Sequence, residues 1–209
     1  MRFRVLVLLA GACTVAALTG GCAQSSSQPA RTAERPPAQA PSSPPATTAT
    51  EVKLPAVEIL SWDQTQKRLA QFRGKVVVVD VWSTYCDPCV REFPNLVALQ
   101  KRLGEKVRCI SFDTDYAGAV REPAESLRKP VLDFLSKHDA SGLFNVISSD
   151  PSEDFYNKIH LGGPPAVFVY DQTGKLVKRF DNSQTSKSAE FTYKLDVVPL
   201  VEKLTSVPR

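Results

Sequence analysis

The sequence predicts an α/β domain in which a mixed central sheet is covered by helices on both faces. Three observations support this fold class. Short apolar segments that suit strands alternate along the chain with longer segments of helical periodicity. One strand segment, residues 76–82, is almost continuously β-branched, which is typical of a strand buried on both faces. Near the C-terminus two strand segments flank the turn 171–174 and a last helix follows, which indicates a terminal hairpin.

Capping residues, prolines and runs of apolar residues predict where each helix and strand begins and ends. Ser61 can cap the first helix, because a serine side chain accepts from free N–H groups, and Gly74 can end it. Pro130 falls within a later helical segment, where we expect a kink. The predicted strands are residues 57–60, 76–82, 107–112, 166–170 and 175–180, and residues 144–147 are predicted to be a short strand or an extended segment. The predicted helices are residues 62–72, 88–103, 124–138, 151–160 and 194–205, with a loop at residues 116–123.

Residues 1–22 are similar to an export signal that ends at a lipidation site. Two arginines near the start precede residues 5–18, an uncharged and mostly apolar run that is too short to span a membrane. Small residues then lead to Cys22, as in a bacterial lipobox whose cysteine is diacylated, although Thr19 stands where leucine is usual. The alternatives are an ordinary secretory signal with a chance Cys22, or the less suitable Cys13 as the lipid site.

Residues 23–50 differ sharply in composition from the rest of the chain. Of these 28 residues, 25 are Ala, Pro, Ser, Thr or Gln, and six are proline. Such a segment cannot bury enough apolar surface to offset the entropy of ordering it. We therefore expect a disordered tether here, and one domain of ordinary size in residues 51–209.

Charge and cysteine content narrow the function. The formal net charge is only +4, so we expect no nucleic-acid partner. The domain contains Cys86, Cys89 and Cys109. An odd number outside the cytoplasm argues against a disulfide scaffold and for one functional pair plus a spare thiol. Cys109 lies in an apolar strand and is expected to be a small buried side chain, with a second redox role as the alternative.

The chemistry is predicted to lie at Cys86-Asp87-Pro88-Cys89, where a buried strand turns into a helix. A Cys-x-x-Cys pair can also be half of a zinc site, but the sequence has no second pair and its two histidines lie far along the chain. Free N–H groups at a helix N-terminus stabilise a thiolate. The first cysteine is therefore the predicted nucleophile, and the second can close a small ring that expels a bound substrate. We expect no metal and no cofactor.

Residues 82–94, Trp-Ser-Thr-Tyr-Cys-Asp-Pro-Cys-Val-Arg-Glu-Phe-Pro, resemble the TlpA/ResA-like branch of the thioredoxin fold, a group of membrane-tethered bacterial thiol reductases. Asp80 lies six residues before the first cysteine, as does the buried carboxylate of thioredoxins. The run 163–165, Gly-Pro-Pro, directly precedes a predicted strand and fits the cis-proline loop of that fold. The resemblance covers about residues 53–205 and implies a thioredoxin-like fold.

The resemblance also implies a role for each residue of the site. Cys86 would attack a substrate disulfide, Cys89 would resolve the mixed disulfide, and Asp80 beneath them would exchange a proton with Cys89. For Asp80 the alternative is a strand-end aspartate satisfied by backbone donors. The aromatic side chains of Trp82 and Tyr85 are expected to cover the start of the helix and also to border the site. The expected groove and support residues are Trp82, Tyr85, Asp87, Pro88, Gly163, Pro164 and Pro165.

These observations together predict an extracytoplasmic thiol–disulfide oxidoreductase that reduces envelope proteins. Asp87-Pro88 is similar to the Glu-Pro of reductases that prepare apocytochrome c, which makes cytochrome c maturation one candidate process. The expected partners are a disulfide-bearing protein, a membrane electron donor of thiol-reductase type and the membrane itself through the N-terminal lipid. We expect a monomer that faces the periplasm or the cell exterior. An oxidase or isomerase of folding proteins, and a copper- or thiol-binding module without turnover, remain alternatives.

Two segments, residues 116–130 and 181–193, are not placed by any motif. These segments could form additional structural elements that determine which partner protein binds.

Overall fold

A computed structural model describes residues 54–181 and 191–206. The predicted signal, the lipid site at Cys22 and the tether at residues 23–50 lie outside the described residues, as do residues 182–190 of the second unplaced segment. No helix within the described ranges is both long and apolar enough to cross a membrane.

The domain is built on one six-stranded sheet. Its strands are β1 (Val57–Leu60), β2 (Val76–Trp82), β3 (Val107–Asp113), β4 (Phe144–Ser148), β5 (Ala166–Tyr170) and β6 (Leu176–Asp181). The spatial order is β1-β4-β3-β2-β5-β6. The first four strands in this order are parallel, whereas β5 runs antiparallel to β2 and β6 antiparallel to β5. The predicted mixed sheet is thereby confirmed.

Helices cover both faces of this sheet, as predicted. They are α1 (Trp62–Leu69), α2 (Asp87–Leu103), α3 (Arg128–Lys137), α4 (Ser152–Ile159) and α5 (Val198–Ser206). On one face α1 and α4 bury Trp62 and Phe155. On the other face α2, α3 and α5 bury Phe93, Leu135 and Val201.

The central strand β2 explains why the site is rigidly placed. All seven of its residues are buried, because alternate side chains enter the cores on opposite faces of the sheet. Asp80 and Trp82 point to the face covered by α2, and the strand ends directly before the loop that carries the cysteine pair. The continuous β-branched run therefore predicted this strand correctly.

Two helical segments differ from the prediction, and a proline explains each. Residues 124–138 divide into a 3₁₀ turn, Ala124–Leu127, and α3. Pro130 thus lies in the first turn of α3 and not in the middle of one continuous helix, so its missing N–H has no helical partner to lose. The last helix opens with a wide π-turn, Tyr193–Val197, because Pro199 cannot donate to the carbonyl one α-turn before it.

Candidate functional site

Cys86 and Cys89 lie at the head of α2, directly after the end of β2. They form a disulfide with an S–S distance of 2.01 Å. Cys86 is the N-cap of α2, and its sulfur accepts a hydrogen bond from the backbone N–H of Cys89 at 3.3 Å. The two sulfurs differ in access, because Cys86 is half-buried and Cys89 is only 3 % exposed. A partner molecule can therefore reach Cys86 more easily than Cys89.

The first turn of α2 suits this position. Asp87 is the acidic residue of that turn, and Pro88 occupies a site where a proline costs no helical hydrogen bond. The unpaired N–H groups at this end of the helix favour negative charge on the sulfur of Cys86. Asp87 is exposed, and its carboxylate opposes that effect in part.

Asp80 lies on β2 beneath the cysteines and is only 4 % exposed. Burial raises the pKa of this carboxyl from 3.8 to about 7, and the nearby Glu92 adds to the rise, whereas the hydroxyl of Tyr193 offsets part of it. That hydroxyl is itself buried and has no ordinary hydrogen-bond geometry with any polar group in the described ranges. Asp80 can therefore hold or release a proton near neutral pH.

Asp80 and Cys89 border the same small cavity. Its walls come from β2, from the first turns of α2, from the loop before β5 and from the segment before α5. They consist of Asp80, Pro88, Cys89, Arg91, Glu92, Pro165, Val167, Phe191, Thr192 and Tyr193. The segment before α5 is held in place by Glu92, which accepts a hydrogen bond from the backbone N–H of Tyr193 at 3.1 Å. Cys89 and Asp80 thus share one protected space.

Three of these wall residues, Phe191, Thr192 and Tyr193, were missed by sequence reasoning. They lie in the second of the two segments that the motifs left unplaced. A tyrosine about a hundred residues from the cysteines carries no local signal for the site. Only the packing of the final helix against α2 brings it beside Asp80.

A wider groove lies on the opposite side of Cys86. It is lined by Ser83, Tyr85, Cys86, Asp87, Pro88, Thr114, Asp115, Ser152, Tyr156 and Pro164. The lining contains hydroxyl groups and two carboxylates but no lysine or arginine. An extended substrate segment that lies in this groove would reach Cys86 without touching Cys89.

The predicted cis-proline loop separates the groove from the cavity. The peptide bond between Pro164 and Pro165 is cis, and Gly163 before it has a φ of 144° that residues with a side chain rarely adopt. Pro165 borders the cavity with Cys89, whereas Pro164 borders the groove with Cys86. Since Pro164 has no N–H, it can offer a docked chain only its carbonyl.

The two aromatic residues of the motif take different positions. Trp82 is fully buried, its ring N–H donates to Ser111 at 2.8 Å and it stacks on Phe134 with ring centres 4.5 Å apart. It supports the site from within the core. Tyr85 is 87 % exposed, which corrects the expectation that it covers the helix start. It stands instead at the rim of the groove.

Cys109 lies on β3 and is fully buried with a free thiol. Burial raises its pKa far above the ordinary range, and the Asp80 charge adds to that rise. The thiol therefore has no nucleophilic form at neutral pH.

The fold and the cysteine pair at the head of α2 define a thioredoxin-like protein of the thiol–disulfide oxidoreductase class. The chain belongs to the Redoxin family, whose sequence model matches residues 49–195.

Individual relatives agree with this class. The chain is 27 % identical over 128 residues to the thiol-disulfide oxidoreductase ResA of Geobacillus kaustophilus (strain HTA426), covering 60 % of this chain and 65 % of the relative. It is 25 % identical over 128 residues to the thioredoxin-like protein YneN of Bacillus subtilis (strain 168), covering 61 % and 69 %. The match with the first of these relatives thus spans less than two thirds of its length. A crystal structure of a putative thiol:disulfide interchange protein DsbE from Chlorobium tepidum is similar at 20 % identity and a TM-score of 0.47, covering 66 % of this chain and 84 % of that one.

Proposed function

We propose that the protein reduces disulfide bonds in proteins of the bacterial cell envelope, with Cys86 as the attacking and Cys89 as the resolving sulfur. The observation that carries this proposal is the unequal exposure of the pair. Cys86 borders an open groove at a helix N-terminus, whereas Cys89 is buried beside Asp80. An attacking thiolate needs access, and a resolving thiolate needs only to reach the first sulfur.

The reaction starts from the reduced pair. The Cys86 thiolate attacks one sulfur of the substrate disulfide, which forms a mixed disulfide and releases the other substrate sulfur as a thiolate. Cys89 then passes its proton to the Asp80 carboxylate, and its thiolate attacks the sulfur of Cys86. The mixed disulfide breaks, and the first substrate sulfur leaves. The substrate gains the two electrons of the dithiol, and its two thiolates take one proton back from Asp80 and one from solvent. The chain ends with the Cys86–Cys89 disulfide.

Asp80 suits the proton transfer because its pKa of about 7 places both of its forms within reach at neutral pH. Its burial in the same cavity as Cys89 keeps bulk water from competing for the proton. Burial, the Tyr193 hydroxyl and Glu92 are the influences on the Asp80 carboxyl among the described residues, and no backbone donor is one of them, which favours proton transfer over the alternative of a purely structural aspartate.

The direction of electron flow is proposed from charge. A carboxylate at Asp87 disfavours the Cys86 thiolate, which makes the reduced pair less stable and hence a stronger reductant. The similarity of Asp87-Pro88 to the Glu-Pro of reductases that prepare apocytochrome c makes such a chain the proposed substrate class. A membrane thiol donor would then restore the dithiol after each turnover.

The reduction potential tests this direction. We expect the wild-type pair, equilibrated with glutathione, to lie closer to the roughly −270 mV of thioredoxin than to the roughly −120 mV of a strong oxidase. The Asp87→Gly variant should be more oxidising by ~10–30 mV, because the thiolate then gains from the helix terminus without opposition. A wild-type value near that of the oxidase would favour the oxidation of folding proteins instead. If the reduction potential of Asp87→Gly is unchanged or more negative than that of the wild type, the Asp87 charge does not set the direction of electron flow.

The proposed location is the outer side of a membrane, with Cys22 lipidated after cleavage of residues 1–21 and residues 23–50 as a tether. We expect Cys22→Ala to move the native protein from the membrane fraction to the soluble envelope fraction. Cys13→Ala is the matched control and should leave the protein with the membrane. Fractionation followed by mass spectrometry of the N-terminus gives the answer. A wild-type protein that is soluble and starts with an unmodified residue would contradict the anchor.

A further inference from the structure

The loop between β2 and α2, residues 83–85, is bound by a single carboxylate from a neighbouring loop. Asp115 follows β3, and its Oδ1 accepts from the hydroxyl of Ser83 at 2.5 Å and from the backbone N–H of Thr84 at 2.9 Å. Its Oδ2 accepts from the hydroxyl of Thr84 at 2.5 Å. Hydrogen bonds to an ionised acceptor are stronger than neutral ones, so this carboxylate fixes the loop firmly.

The bonds continue from the loop to the cysteine. The hydroxyl oxygen of Ser83 accepts from the backbone N–H of Tyr85 at 3.1 Å, and the carbonyl of Ser83 accepts from the N–H of Cys86 at 3.1 Å. Every residue between the end of β2 and Cys86 is therefore linked to Asp115, either directly or through Ser83.

Asp115 is itself held against the end of β2. The preceding residue, Thr114, donates both its N–H and its hydroxyl to the carbonyl of Trp82, each at 2.9 Å. The N–H of Asp115 donates to Oδ1 of Asp113 at 3.3 Å. Burial, and then the charge of Asp115, raise the pKa of Asp113 well above its ordinary range.

We infer that Asp115 is a positioning residue of the redox site, which fixes the backbone that presents the Cys86 sulfur to the groove. The inference rests on the proposed role of Cys86 as the attacking sulfur. Attack on a disulfide requires three sulfurs in line, so a loosened loop lowers the share of encounters that are aligned. Without its carboxylate the loop would lose three bonds while the strand, the helix and both cysteines remained in place.

The test compares three variants with the wild type. In Asp115→Ala, all three bonds are lost, and we expect kcat for insulin disulfide reduction to fall by about tenfold. In Asp115→Asn, the amide oxygen can still accept from Ser83 and from the backbone of Thr84, and the Thr84 hydroxyl can rotate to accept from the amide nitrogen. We expect kcat of this variant for insulin disulfide reduction to lie within about threefold of the wild-type value.

Asp171→Ala is the matched control. Asp171 is also half-buried and also accepts three hydrogen bonds within a loop, from the N–H and hydroxyl of Thr173 at 2.9 and 2.6 Å and from the N–H of Lys175 at 3.0 Å. It lies in the β5–β6 turn, so its loss should lower the melting temperature to a similar degree and leave kcat within about twofold.

Several outcomes would overturn the inference. They are an Asp115→Ala rate within twofold of the wild type, equal losses in the alanine and asparagine variants, or a similar loss in Asp171→Ala. Melting curves taken first on all variants establish that each is folded at the assay temperature. Activity that survives Cys86→Ala would refute the proposed function itself, whereas a dead Cys86→Ala with an active Asp115→Ala refutes only the positioning role.

Discussion

Cys89→Ala should lose nearly all turnover and retain its substrate as a mixed disulfide on Cys86. The second cysteine is buried and lies within bonding distance of the first, so its attack is intramolecular. Such reactions gain many orders of magnitude over attack by a thiol from solution. We expect the rate of insulin reduction to fall by at least ~10³-fold. An acid-quenched, non-reducing gel should show the adduct, and added thiol should release it.

The controls separate the roles of the three cysteines. Cys86→Ala should be equally inactive but should form no adduct, because Cys89 and Cys109, the remaining cysteines of the described ranges, are buried. Cys109→Ala keeps the pair intact and removes only a buried thiol, so its turnover should stay within about twofold of the wild type. An adduct that forms equally well on Cys86→Ala would exchange the proposed roles of attack and resolution.

Asp80→Asn should abolish a large pH dependence of stability in the oxidised protein. The carboxyl has a pKa of about 7 in the folded chain against 3.8 in the unfolded chain. Between these values the folded state holds a proton that the unfolded state has released, so its stability falls as pH rises. Each pH unit costs about 1.4 kcal/mol, which gives roughly 4 kcal/mol over the window. Below about pH 4 the protonated Asp80 carboxyl contributes its full stabilisation to the folded state, and above about pH 7 this stabilisation is lost.

Urea unfolding from pH 4 to 8 measures this directly. The difference in free energy of unfolding, Asp80→Asn minus wild type, should grow in favour of the variant across the window and level off above it. Asp133→Asn is the control, since Asp133 is a mostly exposed helix residue paired with Lys129, and its difference should stay nearly flat. A flat curve for Asp80→Asn as well would mean that the buried carboxyl ionises at its ordinary pKa. Such a group could not serve the proposed proton exchange with Cys89.

The sequence predicted the parts of the protein whose signals are local. The β-branched run of β2, the alternation of strands and helices, and the motif of Cys86 and Cys89 with its TlpA/ResA-like surroundings each depend on short stretches of sequence. The spacing of Asp80 from Cys86 could be read in the same way, because both belong to one strand and the helix that follows it.

Contacts between distant segments could not be predicted in this way. Tyr193 reaches Asp80 only because the last helix packs on α2, and Glu92 holds its backbone there. Asp115 looks like any polar residue after a strand, and its three bonds to the loop 83–85 arise from the pairing of β2 with β3. An aromatic residue such as Tyr85 is expected to pack over the start of the helix. Its backbone N–H is instead held by the hydroxyl of Ser83, and its side chain is exposed.

The burial of Cys109 has a consequence for how the chain matures. Once β3 has joined the sheet, Cys109 is enclosed, and Cys86 and Cys89 are the cysteines of the described ranges that can exchange electrons. A thiol-specific label should therefore reach Cys109 only after denaturation. Before that moment the same thiol is as reactive as the other two, and each can pair wrongly with it. Correct pairing of Cys86 with Cys89 in an oxidising environment therefore depends on the speed with which the central strands assemble around Cys109. Two rates compete during folding: the assembly of the strands that bury Cys109, and the formation of a wrong disulfide with Cys109.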